Sequence, residues 1–384
     1  MADARVPFFR LDAQPAEFEN VRRVLESGWL TTGEWTQRFE REFAAAVGAK
    51  HALAVNSCTA ALHLALDAVG IKPGDRVAVP SLTFAATAEV VRYVGGDPVL
   101  IDSDPSTGCM DPNMLEVAAT RGSLAAAIPV HFAGHAADLD AIAAVCKRTG
   151  TVVVEDAAHA FPTRFQGAAI GSISPATCFS FYANKTITTG EGGMVTTNDD
   201  AFAARMRIMR LHGIDRDAWD RYRSEKPAWE YDVVAAGYKY NLPDLAAAVG
   251  VAQLGRADAM HSRRVQVAER YLHALRGLTS IILPAAPATL SDHAWHLFVI
   301  RLRSGDRTGR AKAIDALAAL GVATSVHYKP LHQMTCYAGL TGQSGTDLPV
   351  ADRWGDSALS IPLFSAMTDA EADQVIAAMR TVFA

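Results

Sequence analysis

The chain has 384 residues, of which 50% are hydrophobic and 20% are charged. A chain of this length and composition can bury a large core, which excludes an intrinsically disordered protein and predicts two domains of unequal size. Its 36 basic and 41 acidic residues give a net charge of −5, and no basic block would neutralise a row of phosphates. Nucleic acid is therefore a poor candidate partner.

The sequence carries no membrane or secretory signal. Its first residues, MADARVPFFRLDAQPAEFENV, lack the positive segment and apolar run of a signal peptide. No stretch approaches the roughly 20 apolar residues that span a bilayer. The 5 cysteines are odd in number and form no C-x-x-C pair, which argues against a disulfide framework and a zinc site. We expect a soluble, cytoplasmic protein with reduced thiols.

From about residue 36 the chain alternates helical and extended patterns. Phe39, Phe43 and Val47, spaced by four, predict one buried helix face. The predicted strands that follow are RVAVP, DPVLID, LAAAIPV, TVVVED, TCFSFY and GMVTT, and the alanine-rich helices between them are 60–69, 85–94 and 137–148. This alternation predicts a mainly parallel sheet with helices on both faces, an α/β fold. We expect this large domain, with its N-terminal segment, to cover residues 1–250.

The last third of the chain reads differently. After the turn at Asn241–Pro243 a helical pattern runs with little interruption to about 276, long enough to link two domains. A smaller α+β domain should follow, made of the strand WHLFVIRL, the helix 307–320, a strand at 322–326 and a final helix with Asp369 and Glu371 in its first turn. The linking helix and this domain are assigned to residues 251–384.

The segment TCFSFYANKTITTGEGGMVTT carries the first candidate for chemistry. Lys185 follows Phe181 by four residues and precedes a glycine-rich turn, a setting in which a lysine can be semi-buried. Burial lowers the pKa of an amine, and the neutral amine is the form that condenses with an aldehyde to a Schiff base. Most lysines are solvated surface charges, so this segment alone does not decide the chemistry.

A second candidate is the strand in TVVVEDAAHAFP, which runs directly into Glu155 and Asp156, with His159 three residues beyond. In open α/β sheets ligands bind beyond the carboxyl ends of the strands. An acid there is more often only a helix cap. Pyridoxal phosphate (PLP) catalysis, however, needs a carboxylate against the pyridine nitrogen, because a protonated ring is the better electron sink. Asp156 and Lys185 are about one strand–loop–strand unit apart, close enough to flank one ring.

A third candidate is NSCTAALHLAL, in which a Ser-Cys-Thr turn opens a helix. Backbone N–H groups and hydroxyls at a helix start suit a phosphate, although an ordinary N-cap explains the pattern equally well. Neither G-x-G-x-x-G nor G-x-x-x-x-G-K-[ST] joins a strand to a helix, which weakens the case for nicotinamide or nucleoside triphosphate chemistry. His131 and His135 are spaced by four, but in a loop, and no H-E-x-x-H occurs; we expect no metal site.

Together these segments closely resemble the DegT/DnrJ/StrS-type sugar-nucleotide aminotransferases, PLP-dependent enzymes of fold type I. The similarity runs from SGWLTTGEWTQRFEREFA to ALSIPLFSAMTD, nearly the whole chain. It implies that Lys185 is the Schiff-base lysine, that Asp156 is the partner of the pyridinium nitrogen and that Phe84 stacks on the ring. The residues implied to hold the phosphate are Ser57, Cys58, Thr59 and Ser180.

The resemblance also implies roles for residues outside these segments. His159 stands where many members have glutamine, next to the cofactor hydroxyl, and acts with Lys185 and Asp156 in catalysis. Asn241 resembles the residue that reaches the cofactor phosphate of the neighbouring subunit, which implies a homodimer with shared active sites. His327 and Tyr328 are expected sugar contacts, since the family's small domain closes over the substrate there; packing at a strand end explains them equally well.

His159 and GYKYNLPD are most similar to the members that aminate a C4 keto group. This implies amino transfer from L-glutamate to C4 of a nucleotide-linked 4-keto-6-deoxyhexose. One alternative is a C3 keto-sugar aminotransferase; another is a non-catalytic, PLP-binding regulatory homologue, which would be expected to lose Lys185 or Asp156. Related 3-dehydratases have histidine at the lysine position, and a cofactor-free binding protein would be colourless. The nucleotide carrier and the sugar stay open.

Overall fold

The computed structural model describes residues 5–215, 231–340 and 347–384. Seven of the strands in these residues form one sheet, and two others form a small hairpin. In chain order these strands are β1 (His51–Val55), β2 (Arg76–Pro80), β3 (Asp97–Ile101), β4 (Ala126–Ala127), β5 (Val152–Asp156), β6 (Arg164–Phe165), β7 (Ala168–Ala169), β8 (Ala176–Ser180) and β9 (Gly193–Thr197). The hairpin is β6–β7.

The large sheet has the strand order β1-β9-β8-β5-β4-β2-β3. The pairings from β8 through β5, β4 and β2 to β3 are all parallel. Strand β9 alone runs against its neighbours β1 and β8. The predicted α/β fold with a mainly parallel sheet is confirmed, and the carboxyl ends of β1, β2, β5 and β8 therefore share one edge.

Helices cover this sheet. In chain order they are α1 (Pro15–Ser27), α2 (Glu34–Val47), α3 (Cys58–Val69), α4 (Ala86–Tyr93), α5 (Pro112–Thr120), α6 (Leu139–Thr149) and α7 (Asp200–Met209). Phe39, Phe43 and Val47 of α2 are buried, as their spacing predicts. Within the described part of the chain, no helix combines the length and the apolar character needed to cross a membrane.

The helical pattern predicted after Pro243, with little interruption to about 276, is found with one short break. The structure has two helices there, α8 (Asp244–Leu254) and α9 (Ala257–Leu275). Arg256 leaves the helical conformation, with φ −115° and ψ 3°. Its guanidinium forms salt bridges with Asp12 and Glu17, so long-range ion pairs fix the break. The predicted boundary after residue 250 falls within α8, and the division into two domains stays a prediction.

A second sheet lies in the C-terminal part of the chain. It has the antiparallel order β10 (Ile281–Ile282), β11 (Phe298–Leu302) and β12 (Ala358–Ile361). The helices beside it are α10 (Arg307–Ala319), α11 (Pro349–Ser357) and α12 (Asp369–Phe383). Helix α12 starts with a capping box in which Thr368 and Glu371 each bond the other's backbone N–H. The predicted final helix is thereby confirmed.

The predicted strand at 322–326 is wrong. Val322 makes an isolated parallel bridge to Val6, and Ser325 an isolated antiparallel bridge to Ser360. A ladder needs successive residues to pair with one strand in one direction. Here the segment pairs with Val6 in the parallel direction and with Ser360 in the antiparallel direction, so each contact stays a single pair.

Candidate active site

The candidate site lies at the shared carboxyl edge of the large sheet. Asp156 is the last residue of β5 and Ser180 the last residue of β8. Lys185 lies in the loop after β8, and Phe84 lies in the segment between β2 and α4. The parallel pairing therefore brings together side chains that the sequence scatters, as expected for an open α/β sheet.

Asp156 is held by hydrogen bonds on both carboxyl oxygens. Its Oδ2 accepts from Thr87 Oγ1 at 2.9 Å, and its Oδ1 accepts from the backbone N–H of Ala158 at 3.1 Å. Thr87 is itself hydrogen-bonded to Thr83, with 2.8 Å between their hydroxyl oxygens. Burial raises the pKa of Asp156, while the two hydrogen bonds and the charge of Lys185 act in the opposite direction. The carboxyl group is fixed in one orientation.

Lys185 places an amine beside this carboxyl group. Its backbone N–H donates to the carbonyl of Tyr182 at 2.9 Å, which fixes the loop after β8. Burial lowers the pKa of the Lys185 amine from 10.5 to about 8, against the opposing influence of Cys58 and Asp156. A neutral amine is a nucleophile and a protonated one is not. At neutral pH the neutral, nucleophilic form of this amine is therefore far more populated than it is for an ordinary lysine, although most of the amine is still protonated.

The turn before α3 presents a set of hydrogen-bond donors. Ser57 is the N-cap, and its Oγ accepts from the backbone N–H of Ala60 at 3.0 Å. In the described residues no acceptor receives the N–H of Cys58 or Thr59, as is usual in the first turn of a helix. Ser180 Oγ accepts from the N–H of Tyr182 at 3.3 Å and keeps its own hydrogen. These donors suit a phosphate.

Gly193, the first residue of β9, sets the position of this turn. A Cβ atom at Gly193 would lie 2.5 Å from the carbonyl carbon and oxygen of Ser57 and 2.7 Å from the nitrogen of Cys58. Only glycine lets β9 pass so close to the turn. Cys58 Sγ donates to the carbonyl of Cys178 at 3.6 Å, and burial raises the pKa of both thiols. The two cysteines are therefore protonated packing residues here.

His159 and Tyr328 meet across the site although 169 positions separate them in sequence. Tyr328 Oη lies 3.1 Å from Nε2 of His159, and the N–H of Ala133 donates to Nδ1 of His159 at 3.2 Å. The ring of Phe84 lies 6.1 Å from that of Tyr328, and the side chain of Phe84 is 61% exposed. An exposed aromatic face at this edge is available to stack on a flat ligand.

His327 is held from both ends of the chain. Its Nδ1 and the hydroxyl of Ser360 are 2.8 Å apart, and Phe8 stacks on its ring at 5.8 Å. Burial lowers the pKa of His327 to about 4, and the charge of Lys185 contributes. Burial also lowers the pKa of His159 and of His296 well below the ordinary value. At neutral pH the three imidazoles are uncharged, which leaves Lys185 as the cation among them.

Asn241 lies beside β1, where it bridges Val55. Its Nδ2 donates to Thr32 Oγ1 at 2.8 Å, and its Oδ1 accepts from the amine of Lys239. Within its own chain, the side-chain contacts of Asn241 are thus with Thr32 and Lys239 and not with the turn at Ser57. Of the predicted site residues, this is the one whose side chain the structure does not bring into the cluster.

A family model described as the DegT/DnrJ/EryC1/StrS aminotransferase family matches residues 12–380. The chain belongs to this family. The spore coat polysaccharide biosynthesis protein SpsC of Bacillus subtilis (strain 168) is 46% identical over 369 residues, 95% of this chain and 94% of SpsC. Among solved structures, Spr1654 of Streptococcus pneumoniae in its PMP form has a TM-score of 0.90 at 33% identity, with 98% of each chain covered.

The structure of Spr1654 is also known in a PLP form. The sugar aminotransferase CalS13 of Micromonospora echinospora has a TM-score of 0.86 at 29% identity, covering 98% of this chain and 99% of CalS13. The DegT/DnrJ/EryC1/StrS proteins are PLP-dependent aminotransferases of fold type I, and the present chain is an enzyme of that class.

Some residues of this DegT/DnrJ/EryC1/StrS site were missed by sequence reasoning. Thr87 lies in PSLTFAATAEVV, where a threonine inside a helix gives no signal of a bond to Asp156. Gly193 follows directly on a glycine-rich turn, and the sequence does not show its close approach to Ser57 and Cys58. His296 is buried, and its Nδ1 has no hydrogen-bond partner in the described residues. It lies in the predicted strand WHLFVIRL, where no motif marks it as a site residue.

His131 and Glu155, next to the site, form a buried pair. Nε2 of His131 lies 2.6 Å from Oε2 of Glu155, and Nδ1 accepts from the N–H of Ala137 at 3.0 Å. Thr177 donates to the other Glu155 oxygen at 3.1 Å. A backbone N–H can only donate, so Nδ1 is unprotonated and Nε2 carries the hydrogen. In the residues that the structure describes, no group of three or more candidate ligands could hold a metal ion.

Proposed function

We propose that this enzyme transfers an amino group to a nucleotide-linked keto-sugar and that Lys185 carries its PLP. The observation that supports this best is the partly buried Lys185 amine, whose pKa is lowered to about 8, at the same sheet edge as the fixed carboxyl group of Asp156. The residues present fit the cofactor. The amine matches an aldehyde, the carboxylate matches a pyridine nitrogen, and the donors at Ser57–Thr59 match a phosphate.

Bound PLP supplies an aldehyde that links to amines and a ring that withdraws electrons from the reacting carbon. The chain's own residues do the rest. The amine of Lys185 would hold the cofactor through its aldehyde and, when free, would accept and return a proton as general base and acid. Asp156 would keep a proton on the ring nitrogen of the cofactor, and the exposed ring of Phe84 would stack on one face of the cofactor ring. His327 and Tyr328, on the loop at the edge of the site, are the residues proposed to contact the sugar.

L-Glutamate as donor and C4 as the aminated position are the finer parts of this proposal. The C4 assignment rests on the similarity of His159 and GYKYNLPD to C4-aminating family members, and L-glutamate is proposed because it is the donor in most of the family. SpsC takes part in spore coat polysaccharide biosynthesis, and CalS13 is a sugar aminotransferase, which supports a sugar substrate. The second candidate is a C3 keto-sugar aminotransferase, because the side chains at the site constrain the cofactor more closely than the sugar ring.

The regiochemistry is tested by offering both ketones with glutamate. We expect a nucleotide-linked 4-keto-6-deoxyhexose to be aminated faster than the matching 3-keto sugar, because a misplacement of about 1 Å at the reacting carbon costs on the order of a hundredfold in rate. UDP, GDP and dTDP carriers should all be supplied and the new C–N bond located by NMR. Preference for the 3-keto sugar would overturn the C4 assignment alone; no turnover of any keto-sugar would favour a regulatory homologue.

We propose a homodimer in which Asn241 of one subunit reaches the cofactor phosphate of the other. Leu30, Val233 and Val234 are exposed by 44%, 55% and 55%, and a second subunit would cover such apolar side chains. Single Asn241→Ala chains should retain PLP less well, by roughly 1–3 kcal/mol for one lost buried hydrogen bond. The change is modest because the donors of the Ser57 turn remain.

Mixed dimers make this test sharper. When Lys185→Ala chains are mixed with Asn241→Ala chains, a shared site predicts that each heterodimer has one site with both lesions and one intact site. Tight PLP retention and turnover should therefore return after subunit exchange. If exchange is verified and neither returns, the two residues do not serve a shared site.

The lowered pKa of Lys185 predicts how cofactor loading depends on pH. Below about 8 the amine is mostly protonated, so the rate at which apo-enzyme gains its visible absorbance band should rise about tenfold per pH unit and level off above that value. For free lysine, whose side-chain pKa is about 10.4, the same rate on mixing with PLP should keep rising for roughly two further pH units. A common midpoint for protein and free lysine would contradict the desolvated amine.

We also propose a cytoplasmic location. The cysteines at 58, 109, 146, 178 and 336 are all free thiols. Burial raises the pKa of Cys109 to about 12 and that of Cys146 to about 11, so these thiols stay protonated. Unpaired, unreactive cysteines are typical of proteins kept in a reducing compartment.

A further inference from the structure

We propose that His159 acts through Tyr328: its Nε2–H donates to the hydroxyl oxygen of Tyr328, and the hydroxyl hydrogen of Tyr328 is left to donate to an oxygen of the bound ligand. Tyr328 is then the residue that touches the ligand, and His159 is a positioning residue. This inference rests on the proposed function and changes the expectation that His159 itself bonds the cofactor hydroxyl.

The direction of the bond follows from the other nitrogen of the imidazole. The N–H of Ala133 points at Nδ1 of His159 over 3.2 Å, and a backbone N–H cannot accept. Nδ1 must therefore carry a lone pair. In a neutral imidazole the single hydrogen is then on Nε2, which lies 3.1 Å from Tyr328 Oη. That hydrogen is consumed by Tyr328 and is not available to a ligand.

The surroundings keep His159 neutral. The titratable groups that face it are the amine of Lys185 and the imidazoles of His296 and His327. The ring of His296 lies 4.5 Å from that of His159, and none of these neighbours is an anion that would favour an imidazolium. Burial, followed by the charges of Lys185 and His327, lowers the pKa of His159. The direction of the bond to Tyr328 is thus maintained through the neutral pH range.

The hydroxyl of Tyr328 is correspondingly a donor. Burial, with the charge of Asp156, raises the pKa of Tyr328, so the phenol keeps its hydrogen. Its Oη makes no second hydrogen bond within the described residues. The rings of Phe84 and Phe132, at 6.1 and 6.3 Å, flank the phenol and hold it at the site. The acceptor is an oxygen of the ligand, presented by the cofactor ring or by the keto group of the sugar.

Two conservative variants separate this arrangement from simple packing. Tyr328→Phe removes only the hydroxyl and keeps the ring contacts, while His159→Phe removes the Nε2 donor. His159→Gln supplies an amide N–H in place of Nε2–H and should restore much of what His159→Phe loses. Tyr93→Phe, which removes an exposed hydroxyl on α4, is the matched control. Thermal unfolding of each variant checks that it folds.

The first readout needs no substrate. The pH titration of the visible band of the PLP-loaded enzyme should shift in the same direction in Tyr328→Phe and His159→Phe if the acceptor is the cofactor ring oxygen. If the acceptor is the sugar keto oxygen, that midpoint stays at its wild-type value.

The second readout uses substrate. If the acceptor is the sugar keto oxygen, the single-turnover rate with keto-sugar falls about tenfold or more, which corresponds to the loss of one hydrogen bond, while the rate with amino donor is unchanged.

Coupling decides between a pair and two independent residues. The double variant should lose no more than Tyr328→Phe alone, because His159 has no effect without the hydroxyl. Additive losses, or a Tyr328→Phe enzyme that matches wild type in both the titration and the keto-sugar rate, would overturn the inference. Failure of wild type to aminate any keto-sugar would instead count against the proposed function, and the titration would still test the pair.

Discussion

Replacing Lys185 with alanine is expected to abolish the visible absorbance band of the PLP-loaded protein and to lower transamination by at least about 10⁴-fold, the upper range for loss of a general acid–base group. The reason is that one amine has two tasks. Its pKa, lowered by burial to about 8, makes it able to condense with the cofactor, and its place beside Asp156 lets it move the proton afterwards. Absorbance and single-turnover kinetics measure the two tasks separately.

Lys147→Ala is the matched control, since Lys147 is exposed on α6. It should keep both the band and the rate. Adding a small primary amine to Lys185→Ala should recover part of the proton transfer but not the covalent tether. A Lys185→Ala protein that still holds PLP covalently would show that another lysine carries the cofactor.

Asp156→Asn is expected to fold and to bind PLP but to lose roughly 10²–10³-fold in turnover, the size seen when a pre-organised electrostatic partner is removed. Asparagine keeps the shape of the carboxyl group and the hydrogen bond that Thr87 Oγ1 donates at 2.9 Å. It removes the negative charge that keeps the ring nitrogen protonated. The loss should appear in the single-turnover rate of both half-reactions, since both need the ring as an electron sink.

Two further variants grade this effect. Thr87→Val removes one hydrogen bond to the carboxylate and should cost less, about 1.5–3 kcal/mol for a bond to a charged group. Asp315→Asn changes an exposed acid on α10 and should be neutral. Near-normal turnover in Asp156→Asn would remove the carboxylate from the mechanism, whatever Thr87→Val does.

The parts of the site that the sequence predicted are those carried by local pattern. An apolar strand that ends in an acid makes Asp156 a candidate, and a lysine between a strand and a glycine-rich turn makes Lys185 another, while the resemblance to the family gives both residues their expected roles. Parallel pairing then guarantees that both lie at one edge, because strands of one direction end together. The fold class follows from the same alternation of strand and helix. No knowledge of distant contacts was needed for either result.

The parts that the sequence did not predict depend on distant contacts. Arg256 interrupts a helical pattern because its guanidinium pairs with Asp12 and Glu17, more than two hundred residues earlier. Gly193 is required because a Cβ atom at this position of β9 would lie 2.5 Å from the carbonyl group of Ser57. The hydrogen bond between His159 and Tyr328 joins residues 169 positions apart. None of these leaves a periodic signal in the chain.

The loop that carries His327 and Tyr328 is held between the two ends of the chain. Val6 pairs with Val322, Phe8 stacks on His327, and Ser360 pairs with Ser325. On the ribosome the early segments emerge first and wait for partners that are synthesised last. The lysine, the acid and the phosphate turn precede residue 194 in the chain, but the contacts of Ser325 and His327 with Ser360 form only when Ser360 has emerged. A nascent chain therefore gains a surface for the cofactor before it gains a closed site for chemistry.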